Sequence, residues 1–264
     1  MADQNQPLCR PATEEQLENP LKTVDPAGWL GTSIAGKKTL CLAAGGGRQS
    51  SLYAAAGADV TVVDLSGRML ELDRATAAQR GHSVRLFETS MDDLSMFQTG
   101  EFDLVIHPVS TCYLAEIQPV FREVSRVLRV GGLYISQHKS PTSLQASTRD
   151  HPDAGYLISE PYYGSNPVPP TPIQDEVSRR LRERGAVEYV HRWEEIVGGI
   201  CRSGMVVEDL LEPMHAKSDA AIGSFAHRAR LIAPYLRIKA RRIANRGSEA
   251  TQPGSVNQLW IPTD

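Results

Sequence analysis

The stretch of sequence that decides the fold runs from residue 38 to residue 64 and reads KTLCLAAGGGRQSSLYAAAGADVTVVD. Residues 39–43 are a short apolar run, and residues 59–64 are a second run rich in β-branched side chains, so both predict buried strands. Between them lie three glycines and a run of small residues, 50–56, that predicts a helix ended by Gly57. The stretch therefore predicts a strand–helix–strand unit with a tight glycine turn after its first strand.

The alternation of strands and helices continues towards the C-terminus. Residues 66–80, which begin with the potential N-cap Ser66, predict a helix, and apolar residues at helical spacing predict another over 116–128. Further short apolar runs predict strands at 84–87, 102–107 and 133–136. The paired glycines 131 and 132 are expected to end the helix predicted over 116–128, before the strand at 133–136. This pattern is typical of a doubly wound, mostly parallel α/β sheet.

The regular pattern stops after Lys139. Residues 140 to about 175 are rich in proline, serine and tyrosine. We therefore predict an irregular insertion at about 140–190, after the fifth strand, that caps the substrate. Regular structure is predicted to return as a helix at 192–202 and strands at 205–211 and 234–240. We therefore predict an N-terminal cap segment (1–36), a main domain with its insertion (37–244) and a disordered tail (245–264).

Composition excludes several classes of protein. The formal net charge is −3, which gives no sign of the basic face typical of nucleic-acid binding. The four cysteines lack the spacing of a metal site, so no metal is predicted. No run of about 18 apolar residues is present, and the N-terminus shows no signal-peptide pattern, so no membrane partner and a cytoplasmic location are expected.

The glycine turn and Asp64 together predict a nucleoside cofactor. In a doubly wound sheet, ligands bind beyond the carboxyl ends of the strands, where glycines allow close approach and an acid can accept the ribose hydroxyls. Asp64 ends the second strand. The dinucleotide pattern G-x-G-x-x-G fits poorly, because a match that starts at Gly45 places Ser50 at its last position. The pattern small-x-Gly-x-Gly fits Ala43, Gly45 and Gly47.

From residue 38 to residue 139 the chain resembles the class I S-adenosylmethionine-dependent methyltransferases of the small-molecule branch. Four stretches carry the resemblance in the family's order: 40–47, 60–66, 101–106 and 126–132. The resemblance implies a Rossmann-like, seven-stranded sheet with one antiparallel strand, for which residues 234–240 are the candidate. It also implies methyl transfer from S-adenosyl-L-methionine, with S-adenosyl-L-homocysteine as the product.

The resemblance further implies which residues contact the cofactor. These are Ala43, Ala44, Gly45, Gly47, Asp64, Leu65, Met69, Ser90, Met91, Asp92 and His107. Either Ser90 or Asp92 is expected to take the adenine amino group. Three positions in these motifs depart from the family pattern: Cys41 and Ser90 stand where an acid is common, and Ala43 stands where the first glycine is usual. The residues at the end of strand four, HPVS at 107–110, differ from the Asn/Asp-Pro-Pro-Tyr of enzymes that methylate nucleic-acid bases or glutamine.

Methyl transfer to an oxygen, nitrogen or sulfur atom is an in-line displacement that depends mainly on alignment. A hydroxyl or ammonium group must also lose a proton, and His107, at the end of the fourth strand, is the candidate catalytic base. Candidate contacts to a small-molecule substrate are Tyr113, His138, Tyr162, His191 and Trp29.

Other functions remain compatible with the pattern. An NAD(P)-dependent oxidoreductase would share the fold but is disfavoured by the missing third glycine and by the stretch 126–132. A catalytically silent protein that only binds S-adenosylmethionine would have the same motifs, because the family has no universal catalytic residue.

Overall fold

The structure is a computed structural model that describes residues 11–150, 155–170, 176–183 and 185–244. In the described residues, seven strands form one sheet in the order β3-β2-β1-β4-β5-β7-β6. The strands are β1 Lys38–Leu42, β2 Asp59–Asp64, β3 Val84–Glu88, β4 Phe102–His107, β5 Leu128–Lys139, β6 Met205–Leu211 and β7 Tyr235–Arg242. Strands β1 to β5 pair in parallel, whereas β7 runs antiparallel to both β5 and β6. The prediction of a doubly wound seven-stranded sheet with one antiparallel strand is confirmed.

Most helices connect or flank these strands. They are α1 Glu14–Glu18, α2 Pro20–Val24, α3 Arg48–Ala55, α4 Gly67–Arg80, α5 Gln118–Val127, α6 Pro141–Gln145, α7 Glu176–Leu181, α8 Gly199–Arg202 and α9 Phe225–Arg228. The chain passes from β1 outward to β2 and β3, and then returns to the other side of β1 for β4 and β5. The ends of β1 and β4 therefore form the crevice where such sheets bind ligands.

Both faces of the sheet are covered, which explains why the strands read as continuous apolar runs. On one face, Leu40 and Leu42 of β1 belong to the same buried cluster as Phe121 of α5. On the other face, Cys41 lies in a cluster with Tyr53 of α3 and with Ile34 from the N-terminal segment. Because successive strand residues point to opposite faces, the neighbours 40, 41 and 42 are all buried.

One predicted boundary is wrong. Helix α5 ends at Val127 and β5 begins at Leu128, so the paired glycines lie inside the strand and do not end the helix. A Cβ on Gly132 would lie 2.9 Å from the Arg129 carbonyl oxygen, in a region where the β4–β5 register shifts. The helix predicted over 192–202 is present, and it begins with a π-helical turn, Glu194–Gly198, that continues directly into α8. A Cβ on Gly199 would lie 3.0 Å from the Phe121 ring, so glycine here allows close packing against α5.

The predicted insertion is held to α9 by buried polar contacts. Arg228 of α9 is 1% exposed and donates hydrogen bonds to the Ser143 hydroxyl (3.0 Å) and to the carbonyl oxygens of Ser143, Ala146 and Ser147. The predicted disordered tail, 245–264, lies outside the described residues. Among the residues described, no helix is long and apolar enough to cross a membrane.

Candidate functional site

The turn between β1 and α3 has an unusual backbone. Gly46 and Gly47 have φ values of 115° and 83°, and Ala43 has a φ of 47°. Only glycine adopts this left-handed region without cost, because a Cβ is crowded by the following carbonyl group. Ala43, which stands where the family usually has a glycine, therefore adopts a conformation that glycine would adopt at lower cost.

We expect Ala43→Gly to raise the free energy of unfolding by about 0.5–1 kcal/mol, because relief of the left-handed strain exceeds the added chain entropy of glycine. Urea denaturation measures the change. Ala44→Gly is the matched control: Ala44 is buried and has no positive φ, so the same substitution should lower stability. A loss of stability in both variants would contradict the prediction.

Asp64 faces the glycine turn from the end of β2. Its Oδ2 accepts the Gly45 N–H at 2.8 Å, and its Oδ1 accepts the Ser66 N–H at 2.9 Å. A Cβ on Gly45 would lie 2.9 Å from the Asp64 Cγ and 2.7 Å from the Met69 Cβ, so this position has no room for a side chain. Each carboxylate oxygen can accept further hydrogen bonds, which fits the two hydroxyls of a ribose.

An apolar surface lies beside this carboxylate. Leu65 is 73% exposed, and it directly follows Asp64. Met91, after β3, packs against the core, and the Ser90 hydroxyl donates to the Asp92 carboxylate. An exposed leucine next to a ribose-type acid is suited to cover a planar base. The described geometry therefore fits the adenosine part of the predicted cofactor.

Sequence reasoning missed Asp73, a buried acid on α4 that also contacts the turn. Its carboxylate accepts the N–H groups of Gly46 (2.8 Å) and Gly47 (3.1 Å) and the hydroxyl of Ser50. The available signal was an acid on the buried face of a helix, at spacings of three and four from the buried residues Leu70 and Ala77.

Three buried histidines surround the loop after β4. His107 Nδ1 is hydrogen-bonded to the Tyr134 hydroxyl (2.8 Å), and its Nε2 is hydrogen-bonded to Ser110 Oγ (2.7 Å). His138 is bonded to Thr111 Oγ1 (2.8 Å) and Ser136 Oγ (2.8 Å). The Nε2–H of His191 donates to the carbonyl oxygens of Thr111 (3.0 Å) and Leu114 (2.9 Å). All three rings thus contact one loop, residues 108–114.

Burial lowers the pKa of His107 to about 3. The unfolded chain therefore binds a proton at this histidine at a higher pH than the folded protein does. The contribution of His107 to the free energy of unfolding is complete above about pH 6.5 and is lost as the pH falls towards 3. We expect His107→Gln to reduce the stability lost between pH 7 and pH 5 by roughly 2 kcal/mol. Urea denaturation at both pH values measures this difference. An unchanged difference would mean that His107 is protonated without cost in the folded protein.

The other candidate substrate residues are spread over the molecule. The Tyr113 hydroxyl donates to Glu183 at 2.7 Å, and the Tyr162 hydroxyl accepts the Trp193 N–H at 3.3 Å. The Trp29 indole N–H donates to Asp209 of β6 at 2.9 Å, so Trp29 contacts the far edge strand. The structure thus brings the glycine turn and Asp64 together, and it joins Met91 to the β4 end through a 3.8 Å contact between its Sδ and Ser110 Oγ.

No group of three or more potential metal ligands is found in the part of the chain that the structure describes.

Comparison with known proteins agrees with this geometry. Residues 40–136 match the family model described as a methyltransferase domain. An uncharacterized methyltransferase of Bacillus subtilis (strain 168), YbaJ, is 35% identical over 195 residues, which are 73% of this chain and 74% of that protein. The chain belongs to the class I S-adenosylmethionine-dependent methyltransferases. Its cofactor is S-adenosylmethionine, and the oxidoreductase alternative is set aside.

More distant relatives extend the comparison. The ubiquinone biosynthesis O-methyltransferase of Bordetella avium is 28% identical over 131 residues, so the match spans about half of each protein (47% of this chain and 54% of the relative). The crystal structure of an S-adenosylmethionine-dependent methyltransferase from Mesorhizobium loti has a TM-score of 0.61 at 20% identity. It covers 86% of this chain and 100% of that one. At this level of identity, the structural match supports the fold alone.

Proposed function

We propose that this methyltransferase transfers a methyl group to an oxygen, nitrogen or sulfur atom of a small molecule. The resemblance to an enzyme named for ubiquinone biosynthesis supports a small acceptor. The net charge of −3 also favours this class over nucleic acid.

The observation that carries the proposal is the contact between Asp64 and the Gly45 amide, because it joins the acid and the glycine turn in one crevice. S-adenosylmethionine, when bound there, supplies an electrophilic methyl group on a positively charged sulfur. We assign its ribose to Asp64, its adenine to Leu65, Met91 and the pair Ser90 and Asp92, and its amino-acid end to the turn. The chain's own task is then to align the acceptor with the methyl group.

His107 is proposed to act through Ser110. Both ring nitrogens of His107 already have hydroxyl partners, so a proton from a substrate would reach the ring by way of the Ser110 hydroxyl. The lowered pKa makes His107 a weak base, which favours acceptors that lose a proton easily. In this arrangement His138 and His191 are positioning residues for the same loop.

The insertion at about 140–190 is proposed to cap the acceptor, with Tyr113 and Tyr162 as candidate contacts. Tyr162 is half-buried and packs edge-on against Tyr163, with ring centroids 5.1 Å apart. Trp29 stays a weaker candidate, because its hydrogen-bond partner lies on β6.

The test has two stages. Calorimetric titration with S-adenosylmethionine, S-adenosylhomocysteine and NAD(H) should give binding of the first two alone. The protein is then incubated with S-adenosylmethionine and separate pools of phenols, amines and thiols, and methylated products are detected by mass spectrometry. Turnover of one pool supports the proposal. Methylation of added RNA or peptide, with none of any small-molecule pool, would overturn it.

A further inference from the structure

Position 41 marks a gap in the family pattern. An acid is common there, and this chain has a cysteine that is completely buried. Burial raises the pKa of the Cys41 thiol, and the nearby Asp73 carboxylate raises it further. Cys41 is therefore an uncharged thiol, and it cannot supply a carboxylate beneath the glycine turn.

Asp73 supplies a carboxylate at this place from a different element. It is fully buried and accepts the Gly46 and Gly47 amides together with the Ser50 hydroxyl. With Asp64 on the Gly45 amide, all three glycine N–H groups of the turn donate to carboxylates. Asp64 comes from β2 and Asp73 from the helix that follows it, so one strand–helix unit fixes the conformation of the turn.

Burying the Asp73 carboxylate costs free energy that only its hydrogen bonds can offset. A buried carboxylate costs several kcal/mol unless donors surround it. Its donors are two amides of the glycine turn and one hydroxyl from the start of α3. Burial raises the pKa of Asp73, and the neighbouring Asp64 contributes, while the three hydrogen bonds lower it. An alanine here would avoid this cost but would leave the turn amides without their carboxylate.

We propose that Asp73 replaces the acid of position 41: the carboxylate that holds the cofactor-binding turn has moved from β1 to α4. Asp73 is a positioning residue, since it acts on the cofactor through Gly46 and Gly47. This proposal rests on the proposed cofactor site at the turn. The exchange explains why an uncharged cysteine is tolerated at position 41 and why an acid lies on the apolar face of α4. It also gives a role to Ser50, whose hydroxyl donates a third hydrogen bond to the Asp73 carboxylate.

The proposal predicts that a carboxylate at position 41 restores the binding that is lost when Asp73 is replaced. We expect Asp73→Asn and Asp73→Ala to weaken S-adenosylhomocysteine binding by about 10- to 100-fold, because the charge-assisted hydrogen bonds to the turn are lost. The double variant Cys41→Asp/Asp73→Ala should recover most of the affinity, because it restores one carboxylate beneath the turn. Calorimetry gives the affinity, and urea denaturation reports folding. Glu71→Gln, an exposed acid on the same helix, is the matched control and should bind as wild type.

The outcomes separate this proposal from the one it rests on. If Asp64→Ala binds S-adenosylhomocysteine as well as wild type, the proposed cofactor site is wrong. If Asp64→Ala loses binding but the Asp73 variants keep it, or if the double variant binds no better than Asp73→Ala, the exchange is wrong. If both single Asp73 variants fail to fold, the double variant decides: a folded, binding protein supports the exchange and an unfolded one overturns it.

Discussion

Asp64→Ala is expected to lower the affinity for S-adenosylmethionine by about 100-fold or more, because it removes the partner of the Gly45 amide and the proposed acceptors for two ribose hydroxyls. Hydrogen bonds to a charged group contribute about 1.5–3 kcal/mol each, and 1.4 kcal/mol is about tenfold in affinity. The Gly45 and Ser66 amides also lose the carboxylate that holds them. Calorimetric titration measures the change.

Asp59→Ala is the matched control for this variant. Asp59 begins the same strand, is exposed, and carries the same charge, but it lies at the opposite end of β2. It should bind S-adenosylmethionine as tightly as wild type, with unchanged unfolding in urea. Equal losses in the two variants would indicate a general charge effect and would contradict the assignment of Asp64 to the ribose.

The sheet was predictable because its signals are local. The apolar runs of β1 and β2 lie between helices on both faces, so each run records burial without reference to distant residues. The position of Asp64 beside the glycine turn was equally accessible, since a residue at the end of a parallel strand lies at the ligand edge in any sheet of this type. By contrast, the paired glycines 131 and 132 were misread, because glycine marks both helix ends and bulged strands.

Asp73 was not predictable in the same way. Asp73 contacts the glycine turn only because one particular face of α4 meets that turn. Packing between α3, α4 and the sheet determines which face this is. The histidines illustrate the same limit. Sequence placed His107 and His138 at strand ends, but their partners Tyr134 and Thr111 lie 27 positions away along the chain. The hydrogen-bond partners follow from tertiary structure, and so does the burial that lowers the pKa of both rings.

The attachment of the insertion was beyond sequence reasoning for the same reason, and it leads to the second large expected effect. We expect Glu188→Gln to lower the free energy of unfolding by about 3–5 kcal/mol. Glu188 lies between Lys139 of β5 and Arg182, with Arg182 Nη1 at 2.6 Å, and the three side chains are 4%, 8% and 9% exposed. Glutamine keeps the shape of the side chain but removes its charge, so two buried cations are left without their counter-ion.

Urea denaturation of Glu188→Gln measures this loss of stability. Two further variants test whether the loss comes from the unpaired buried charges. Glu176→Gln changes an acid in the same insertion whose side chain is 79% exposed and 3.8 Å from Arg180, so its stability should stay close to wild type. Adding Lys139→Met to Glu188→Gln removes one of the two unpaired cations and should recover part of the loss, because an apolar side chain suits a buried position better than an isolated ammonium group. A loss below about 1 kcal/mol in Glu188→Gln would mean that water reaches the cluster in solution.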